Sequence, residues 1–124
     1  MSIINSLPDW VFLYTEEHGP CGEGRRFACK DPVRAYRYAL LIDKCPRDDT
    51  RAAACRSPMG YFYARDVDGC AREDTRQAAC EEPKWAYNYA RVVDKCPRKD
   101  TRQAACRDPE YAYRYAQYAI WRKS

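Results

Sequence analysis

A five-residue segment with two tyrosines recurs along the chain at a nearly constant interval. Its copies begin at Ala35, Gly60, Ala86 and Ala112, and they read AYRYA, GYFYA, AYNYA and AYRYA. Successive copies lie 25 or 26 residues apart, an interval that is typical of stacked structural repeats. Each copy follows a pair of cysteines and a proline. The sequence therefore predicts a repeated unit with a connector, a short helix, a proline and a longer aromatic helix.

The aromatic segment fits a helix better than a strand. In the copy after Pro32, the residues Ala35, Tyr38, Ala39 and Ile42 are spaced i, i+3, i+4 and i+7, which places them on one face of an α-helix. Alanines on this face allow a neighbouring helix to approach closely, and the tyrosine ring fills the space beside them. We therefore predict that this face is buried.

The connector between two cysteines predicts a helix of about two turns. Asp and Thr side chains can accept hydrogen bonds from the free backbone N–H groups at a helix start. The N-cap candidates are Asp49-Thr50, Asp74-Thr75 and Asp100-Thr101. A proline after each connector ends the short helix and suits the first turn of the next one.

The beginning of the chain fits the same register. Pro8 precedes Cys21 by 13 residues, as Pro32 precedes Cys45, so the aromatic segment after Pro8 corresponds to a first copy of the long helix. We predict an all-α fold in one domain over residues 1–124, a solenoid-like array of helix pairs with a cysteine pair in each connector. The units are a degenerate half-repeat at 7–20 and repeats at 21–44, 45–69, 70–95 and 96–124.

The final unit carries a resemblance. The segment DPEYAYRYA at 108–116, with TRQAA at 101–105 before it, resembles the short α-helical repeats of about 25 residues found in large-phage, giant-virus and some bacterial proteins. Their motif is Pro-x-Tyr-Ala-Tyr-x-Tyr-Ala. The resemblance covers nearly the whole chain and implies a helical repeat. It implies no activity, since these repeats share no assigned role, and the regular cysteine pairs depart from the pattern.

The eight cysteines favour disulfides, because their number is even and they occur in four pairs. A bond across an aromatic helix would span roughly 20 Å, whereas a disulfide needs Cα atoms about 4.4 to 6.8 Å apart. We therefore predict bonds within connectors. The pairs are Cys21–Cys29, Cys45–Cys55, Cys70–Cys80 and Cys96–Cys106. Buried reduced thiols are one alternative. Thiol redox chemistry or metal binding is another, although each connector supplies two sulfurs where zinc takes four ligands.

Disulfides would place the chain in an oxidising setting, for which a virion or the cell exterior is expected. The N-terminus lacks the pattern of a signal peptide, and reduced thiols would instead indicate the cytoplasm. No stretch approaches the roughly 18 to 20 apolar residues that cross a bilayer. We therefore expect no membrane partner.

The residue types that common enzyme sites need are missing from the sequence. The chain has one histidine, no glycine-rich phosphate loop, no His-Glu-x-x-His motif and no clear nucleophile–base pair. We therefore predict no enzyme activity, no catalytic residue, no resident metal and no cofactor. Stacked helix pairs form extended binding surfaces, so the predicted role is a scaffold for protein binding or assembly.

The last aromatic helix supplies the candidate partner-binding residues. Tyr111, Tyr115 and Tyr118 share one face by their i, i+4, i+7 spacing, which we expect to pack inward. The surplus aromatic residues would then bind a partner or a second copy. The full candidate set is Tyr111, Tyr113, Tyr115, Tyr118 and Trp121. The alternative is that these amphipathic tyrosines only cover the edge of the core.

Single-stranded nucleic acid is the alternative partner. Arginines stand between tyrosines whose rings could stack on bases. These arginines are Arg34, Arg37, Arg114 and Arg122. The net charge is only +4, and interspersed Asp and Glu weaken any continuous basic track.

Overall fold

A computed structural model of the protein describes residues 22–123. Helix accounts for 75% of this part of the chain, and it contains no strand. The prediction of an all-α fold is confirmed. The predicted half-repeat at 7–20 and Cys21 lie outside the described residues. Within the same span, no helix combines the length and the apolar character that crossing a membrane requires.

Short and long helices alternate along residues 22–123. The short helices are α1 (Gly22–Ala28), α3 (Asp48–Ala54), α5 (Glu73–Ala79) and α7 (Lys99–Ala105). The first three long helices begin as α-helix and continue as π-helix. They are α2 (Pro32–Tyr38) with π1 (Ala39–Asp43), α4 (Met59–Tyr63) with π2 (Ala64–Asp68), and α6 (Pro83–Asn88) with π3 (Tyr89–Asp94). The last long helix, α8 (Pro109–Lys123), is α-helical throughout.

The short helices have the predicted two turns, but the predicted N-caps are wrong. The N-cap residues are arginines, Arg47, Arg72 and Arg98, in extended conformation and without a side-chain capping bond. The Asp and Thr of each pair lie two and three residues after the N-cap arginine, in the first turn of the helix. Asp49 accepts a hydrogen bond from the Thr50 backbone N–H at 2.7 Å, while the Thr50 hydroxyl is held by the long helix that follows, as described below.

The first three long helices change from α-helix to π-helix towards their ends, which the sequence pattern did not predict. The backbone N–H of Lys44 donates to the carbonyl of Ala39 at 2.8 Å, and that of Gly69 donates to Ala64 at 2.9 Å. Both bonds join residues five apart, as in a π-helix. The residue after each π segment is left-handed, with φ of 57° at Lys44, 69° at Gly69 and 59° at Lys95. Such a residue ends a helix, and the chain turns into the next connector.

Each long helix packs against the short helix that follows it, so that α2 pairs with α3, α4 with α5 and α6 with α7. Successive long helices also touch, through α2–α4, π1–π2, π2–π3 and α6–α8. The face predicted to be buried on α2 and π1 is buried. Three core clusters repeat one composition: an alanine from a long helix, an alanine from the next short helix and a tyrosine from the next long helix. They are Ala39–Ala54–Tyr63, Ala64–Ala79–Tyr89 (joined by Tyr61) and Ala90–Ala105–Tyr115.

Each of these tyrosines also binds the start of a short helix. The Tyr63 hydroxyl lies 2.7 Å from Thr50 Oγ1, accepts from the Arg47 backbone N–H at 3.0 Å and donates to the Arg47 carbonyl at 3.1 Å. Tyr89 repeats the arrangement with Arg72 and Thr75, and Tyr115 repeats it with Arg98 and Thr101. We call this arrangement the tyrosine clamp. It satisfies both the buried hydroxyl and the backbone at the uncapped helix start.

A buried ion pair lies beside the rings of Tyr63 and Tyr89, two of the three clamp tyrosines. Arg51 binds Asp68 with both Nε and Nη2, and Arg76 binds Asp94 in the same way, each at 2.7 Å for the closest pair of atoms. The two carboxylates are 2% and 3% exposed. Arg25 and Asp43 form a bidentate pair in the first described unit through Nη1 and Nη2, with both bonds at 2.7 Å. These contacts join residues 17 or 18 positions apart.

The last unit departs from this pattern. Ile120 stands five residues after Tyr115, where the other units have the buried aspartate. Arg102, the counterpart of Arg76, is exposed and forms no ion pair with a described residue. Without the π segment and the left-handed residue, α8 continues as a regular helix to Lys123.

The contrast between Arg76 and Arg102 predicts different costs of truncation. We expect Arg76→Ala to lower the free energy of unfolding by about 3–5 kcal/mol, because the Asp94 carboxylate would stay buried without its counter-ion. We expect Arg102→Ala to change it by less than about 0.5 kcal/mol. Urea denaturation followed by circular dichroism measures both. Equal losses in the two variants would contradict the structural role of the buried pair.

Candidate functional site

The first tyrosine of each repeated segment marks where successive long helices meet. The ring of Tyr61 on α4 lies 5.3 Å from that of Trp85 on α6, measured between centroids. The ring of Tyr87 on α6 lies 6.0 Å from that of Tyr111 on α8. In both pairs, an aromatic residue two positions after the proline of the later helix contacts the tyrosine of the earlier one. Tyr61 is buried and Tyr87 is half-buried as a result.

Tyr113 is the corresponding tyrosine of α8, and it is 65% exposed. No long helix follows α8 within residues 22–123. Ile120 lies seven residues after Tyr113, on nearly the same side of the helix, and it is 63% exposed. Trp121 beside it is 74% exposed. Tyr113, Ile120 and Trp121 form an exposed apolar surface, which we call the α8 edge.

The five residues predicted to bind a partner divide into two groups. Tyr115 is 1% exposed and lies in the core with Ala90 and Ala105. Tyr111 and Tyr118 are half-buried and pack against this cluster, and the Tyr118 hydroxyl donates to the Ala90 carbonyl at 3.1 Å. These three form the inward stripe that the spacing predicts. Only Tyr113 and Trp121 of the set reach well into solvent.

Ile120 was not among the predicted residues, although the sequence contains a signal for it. The three preceding units have Asp43, Asp68 and Asp94 at the equivalent position, and the last unit has an isoleucine. An exchange of a buried, paired carboxylate for an exposed apolar side chain marks a change of role. The comparison of repeats at this position would have identified the α8 edge more fully.

The cysteines occupy two different environments. No disulfide joins the seven described cysteines, and Cys21 lies outside that part of the chain. The cysteines before the short helices, Cys45, Cys70 and Cys96, are exposed. Those at the ends of α1, α3 and α5 are half-buried, and Cys80 Sγ lies 3.8 Å from the Asp100 carbonyl oxygen of the next short helix. Their counterpart at the end of α7, Cys106, is exposed.

Burial raises the pKa of the half-buried thiols. The pKa of Cys55 rises to about 12 and that of Cys80 to about 11, chiefly because desolvation disfavours the thiolate. Nearby carboxylates, Asp74 for Cys55 and Asp100 for Cys80, act in the same direction. Since the thiolate is the nucleophile and the metal ligand, these two positions are poorly suited to redox chemistry or metal binding at neutral pH.

The described residues give less support to metal binding and to nucleic-acid binding. The described residues contain no group of three or more His, Cys, Asp or Glu side chains that could hold a metal ion. Two of the arginines considered for nucleic-acid binding are engaged within the chain. Arg114 binds Glu110 at 2.8 Å and lies over the Tyr111 ring, and Arg34 lies over the Phe27 ring.

No family model matches the chain, and comparisons with curated proteins and with solved structures find no match. A role for the protein therefore has to be inferred from its own surface. Within the described residues, the α8 edge is the place where a contact made repeatedly inside the chain is left open.

Removing the hydroxyl group from one buried and one exposed tyrosine of α8 tests how this helix packs. We expect Tyr115→Phe to lower the free energy of unfolding by about 1–3 kcal/mol, because the Arg98 N–H and the Thr101 hydroxyl lose a buried partner. Tyr113→Phe removes an exposed hydroxyl and should change it by less than about 0.5 kcal/mol. Thermal and urea unfolding of both variants give the comparison. A cost at Tyr113 equal to that at Tyr115 would contradict the packing of α8.

The raised thiol pKa values predict the order of alkylation. In reduced protein at pH 8, Cys106 should react at least about tenfold faster than Cys80, because burial keeps the Cys80 thiol protonated. The ratio should shrink as the pH approaches 11, where Cys80 begins to ionise. Iodoacetamide labelling with peptide mass spectrometry measures each site. Equal rates at the two cysteines would contradict burial at the end of α5.

The same labelling without reductant tests the predicted disulfides. Cysteines that become labelled only after reduction are oxidised, and linked peptides identify their partners. Bonds confined to single connectors would confirm the predicted pairs, and free labelling of all eight thiols would show them to be wrong.

Proposed function

We propose that the chain is a non-catalytic helical-repeat scaffold that acts by binding a protein, either a different one or a second copy, through the α8 edge. One observation carries the proposal. Tyr113 is open to solvent, whereas its counterparts Tyr61 and Tyr87 are covered by aromatic residues of the next long helix. Elsewhere in the chain, the equivalent surface is therefore covered by another helix.

The repeated packing supports a solenoid-like stack. The three equivalent clusters of two alanines and one tyrosine each join one unit to the next. In repeat proteins each unit contacts its neighbours, and a face that no neighbouring unit covers has to be polar for the protein to stay soluble. The outer face of α8 instead carries a tyrosine, an isoleucine and a tryptophan. The proposal includes that the chain belongs to the phage and giant-virus helical repeats that its motif resembles.

The chemistry of the α8 edge suits a protein partner. Tyrosine and tryptophan are enriched at protein interfaces, where a few such residues provide most of the binding free energy. Both have an apolar ring and a polar group that can bond at the rim. A charged ligand is less well matched, because Arg114 near the edge is already paired with Glu110.

The disulfides stay a prediction within this proposal, together with an oxidising setting such as a virion or the cell exterior. Each would close a loop of about ten residues and contribute about 2–3 kcal/mol. Cys45 precedes α3 and Cys55 follows it, and a helix of seven residues is about 10 Å long. Formation of the bond would therefore require the segment before α3 to fold back along the helix.

Site-specific photo-crosslinking tests the proposed function. With p-benzoylphenylalanine at position 113, we expect a crosslink to one defined protein species, identified by mass spectrometry. The same group at Gln103, an exposed position on α7, is the control and should give none. The double variant Tyr113→Ser, Trp121→Ser should lose the partner while keeping its unfolding temperature, because both side chains are exposed.

Two outcomes would overturn the proposal. One is equal crosslinking at positions 103 and 113, or none at either. The other is that a labelled single-stranded nucleic acid binds, as measured by fluorescence anisotropy, and that this binding weakens with rising salt concentration as binding through several phosphate contacts does. That result would favour the nucleic-acid alternative.

A further inference from the structure

We propose that the cavity between π2 and π3 binds a single phenol ring that carries an acidic substituent. This site shares no residue with the α8 edge, so the proposal goes beyond the proposed function. Three observations support it: the size of the cavity, the tyrosine that occupies the equivalent place in the next unit, and the positive charge at the rim.

The cavity lies where the ends of two successive long helices meet. Its volume is about 230 Å³, which is below the roughly 300 Å³ at which pockets for drug-sized ligands begin. A space of this size suits one aromatic ring rather than a larger ligand. The residues that line it include Ala64, Cys70, Val92, Val93 and Lys95.

One position of the repeat, five residues after the first tyrosine of each segment, faces the preceding long helix. In the last three units this position holds Asp66, Val92 and Tyr118. Asp66 accepts a hydrogen bond from the Tyr36 hydroxyl on α2, and the Tyr118 hydroxyl donates to the Ala90 carbonyl on π3 at 3.1 Å. Val92 has no polar group, so it forms no such bond, and the cavity lies beside it.

The cavity is the counterpart of the place that Tyr118 occupies in the next unit. Ala64 and Cys70 line the cavity, and their counterparts in the repeat are Ala90 and Cys96. Tyr118 binds Ala90. Burial raises the pKa of Tyr118, and the nearby Cys96 thiol acts in the same direction. A phenol ring therefore fits beside an alanine and a cysteine at these positions, whereas a valine is too short to reach the same place.

The Ala64 carbonyl is a suitable acceptor for a phenol hydroxyl. Its oxygen accepts a hydrogen bond from the Gly69 backbone N–H at 2.9 Å, and a carbonyl oxygen has two lone pairs. The hydroxyl of the bound ring therefore donates to Ala64 as Tyr118 donates to Ala90. The methyl groups of Val92 and Val93 provide the apolar wall of the site, because both residues line the cavity.

The rim of the cavity is positively charged, since Arg65 and Lys95 line it. Arg65 pairs with Asp66 at 2.7 Å, whereas Lys95 is exposed and forms no ion pair with a described residue. An ammonium group at the rim favours a ligand with a negative charge beside its ring. Two sources have this chemistry: a free phenolic acid, and a tyrosine flanked by acidic residues in another protein.

Titration with two probes tests binding and separates these sources. The probes are p-hydroxyphenylacetate and the peptide acetyl-Glu-Tyr-Glu-amide, and two-dimensional NMR of the reduced wild-type chain follows the backbone amide signals. We expect the largest shifts at Gly69, Cys70 and Lys95, with a dissociation constant on the order of 1 mM because a ligand of this size makes few contacts. Phenylacetate, which lacks the hydroxyl, should bind about threefold to tenfold more weakly than p-hydroxyphenylacetate.

Two exchanged variants give the sharpest comparison. Val92→Tyr fills the cavity with a side chain that the next unit already accommodates, and it should weaken binding at least tenfold. Tyr118→Val opens the equivalent place beside Ala90 and should add a second site, seen as new shifts at Cys96.

A matched pair of lysine variants tests the charge at the rim. Lys95→Gln should weaken binding of the acidic probes by about twofold to fivefold, because it removes one exposed ion pair. Lys99→Gln removes the same charge from an exposed residue that does not line the cavity, and it should leave binding unchanged.

The outcomes are distinct. Binding of p-hydroxyphenylacetate supports a site for a free phenolic acid, and binding of the peptide alone supports a site for a tyrosine of a partner protein. Failure of both probes to shift these amides, or undiminished binding to folded Val92→Tyr, would overturn the proposal. If Val92→Tyr does not fold, unchanged binding in both Lys95→Gln and Tyr118→Val would overturn it instead.

Discussion

The hydrogen bonds of the clamp tyrosines hold the units of this protein together. A core built mainly from alanine and tyrosine gains less from apolar burial than one built from leucine, and every buried tyrosine hydroxyl must find a partner. Tyr63, Tyr89 and Tyr115 find theirs at the extended arginine and the threonine that begin a short helix. The same bonds replace the side-chain caps that these short helices lack. One hydroxyl therefore fixes the long helix and the start of the short helix together.

The buried ion pairs lie next to this arrangement in two units. The arginine of the short helix lies over the ring of the clamp tyrosine, at 5.6 Å from its centroid for Arg51 and Arg76. The π segment that follows the tyrosine places an aspartate against the same guanidinium. The pair costs desolvation energy that only near-ideal bidentate geometry offsets. Where Ile120 replaces the aspartate, α8 remains regular and its apolar side chains face outward.

The same packing gives a physical basis for a binding role. Inside the chain, a tyrosine of each long helix is contacted by an aromatic residue of the next, and α8 presents that tyrosine without such a neighbour. A partner that offers an aromatic side chain would therefore bind with the kind of contact that the chain already uses between its own helices. The chemistry required is the packing of aromatic rings. No catalytic group is needed for it.

The sequence by itself determined the repeat, the alternation of short and long helices, the buried face of α2 and π1, and the inward stripe of Tyr111, Tyr115 and Tyr118. These follow from local spacing, because helical periodicity and proline positions are properties of neighbouring residues. Local spacing failed at the helix starts, where the N-cap residue is an arginine whose backbone is bonded by the clamp tyrosine. It also missed the π segments, since two of the left-handed residues that end them are lysines, Lys44 and Lys95, rather than glycines.

Only the tertiary structure decided which residues are covered. The Arg51–Asp68 and Arg76–Asp94 pairs join residues 17 and 18 positions apart, and no short-range pattern specifies such a contact. The environments of the cysteines follow from the packing of successive short helices, which buries Cys80 against Asp100 and leaves Cys106 exposed. Tyr87 and Tyr113 occupy the same place in the repeat, and only the position of the next helix separates a core contact from an open surface.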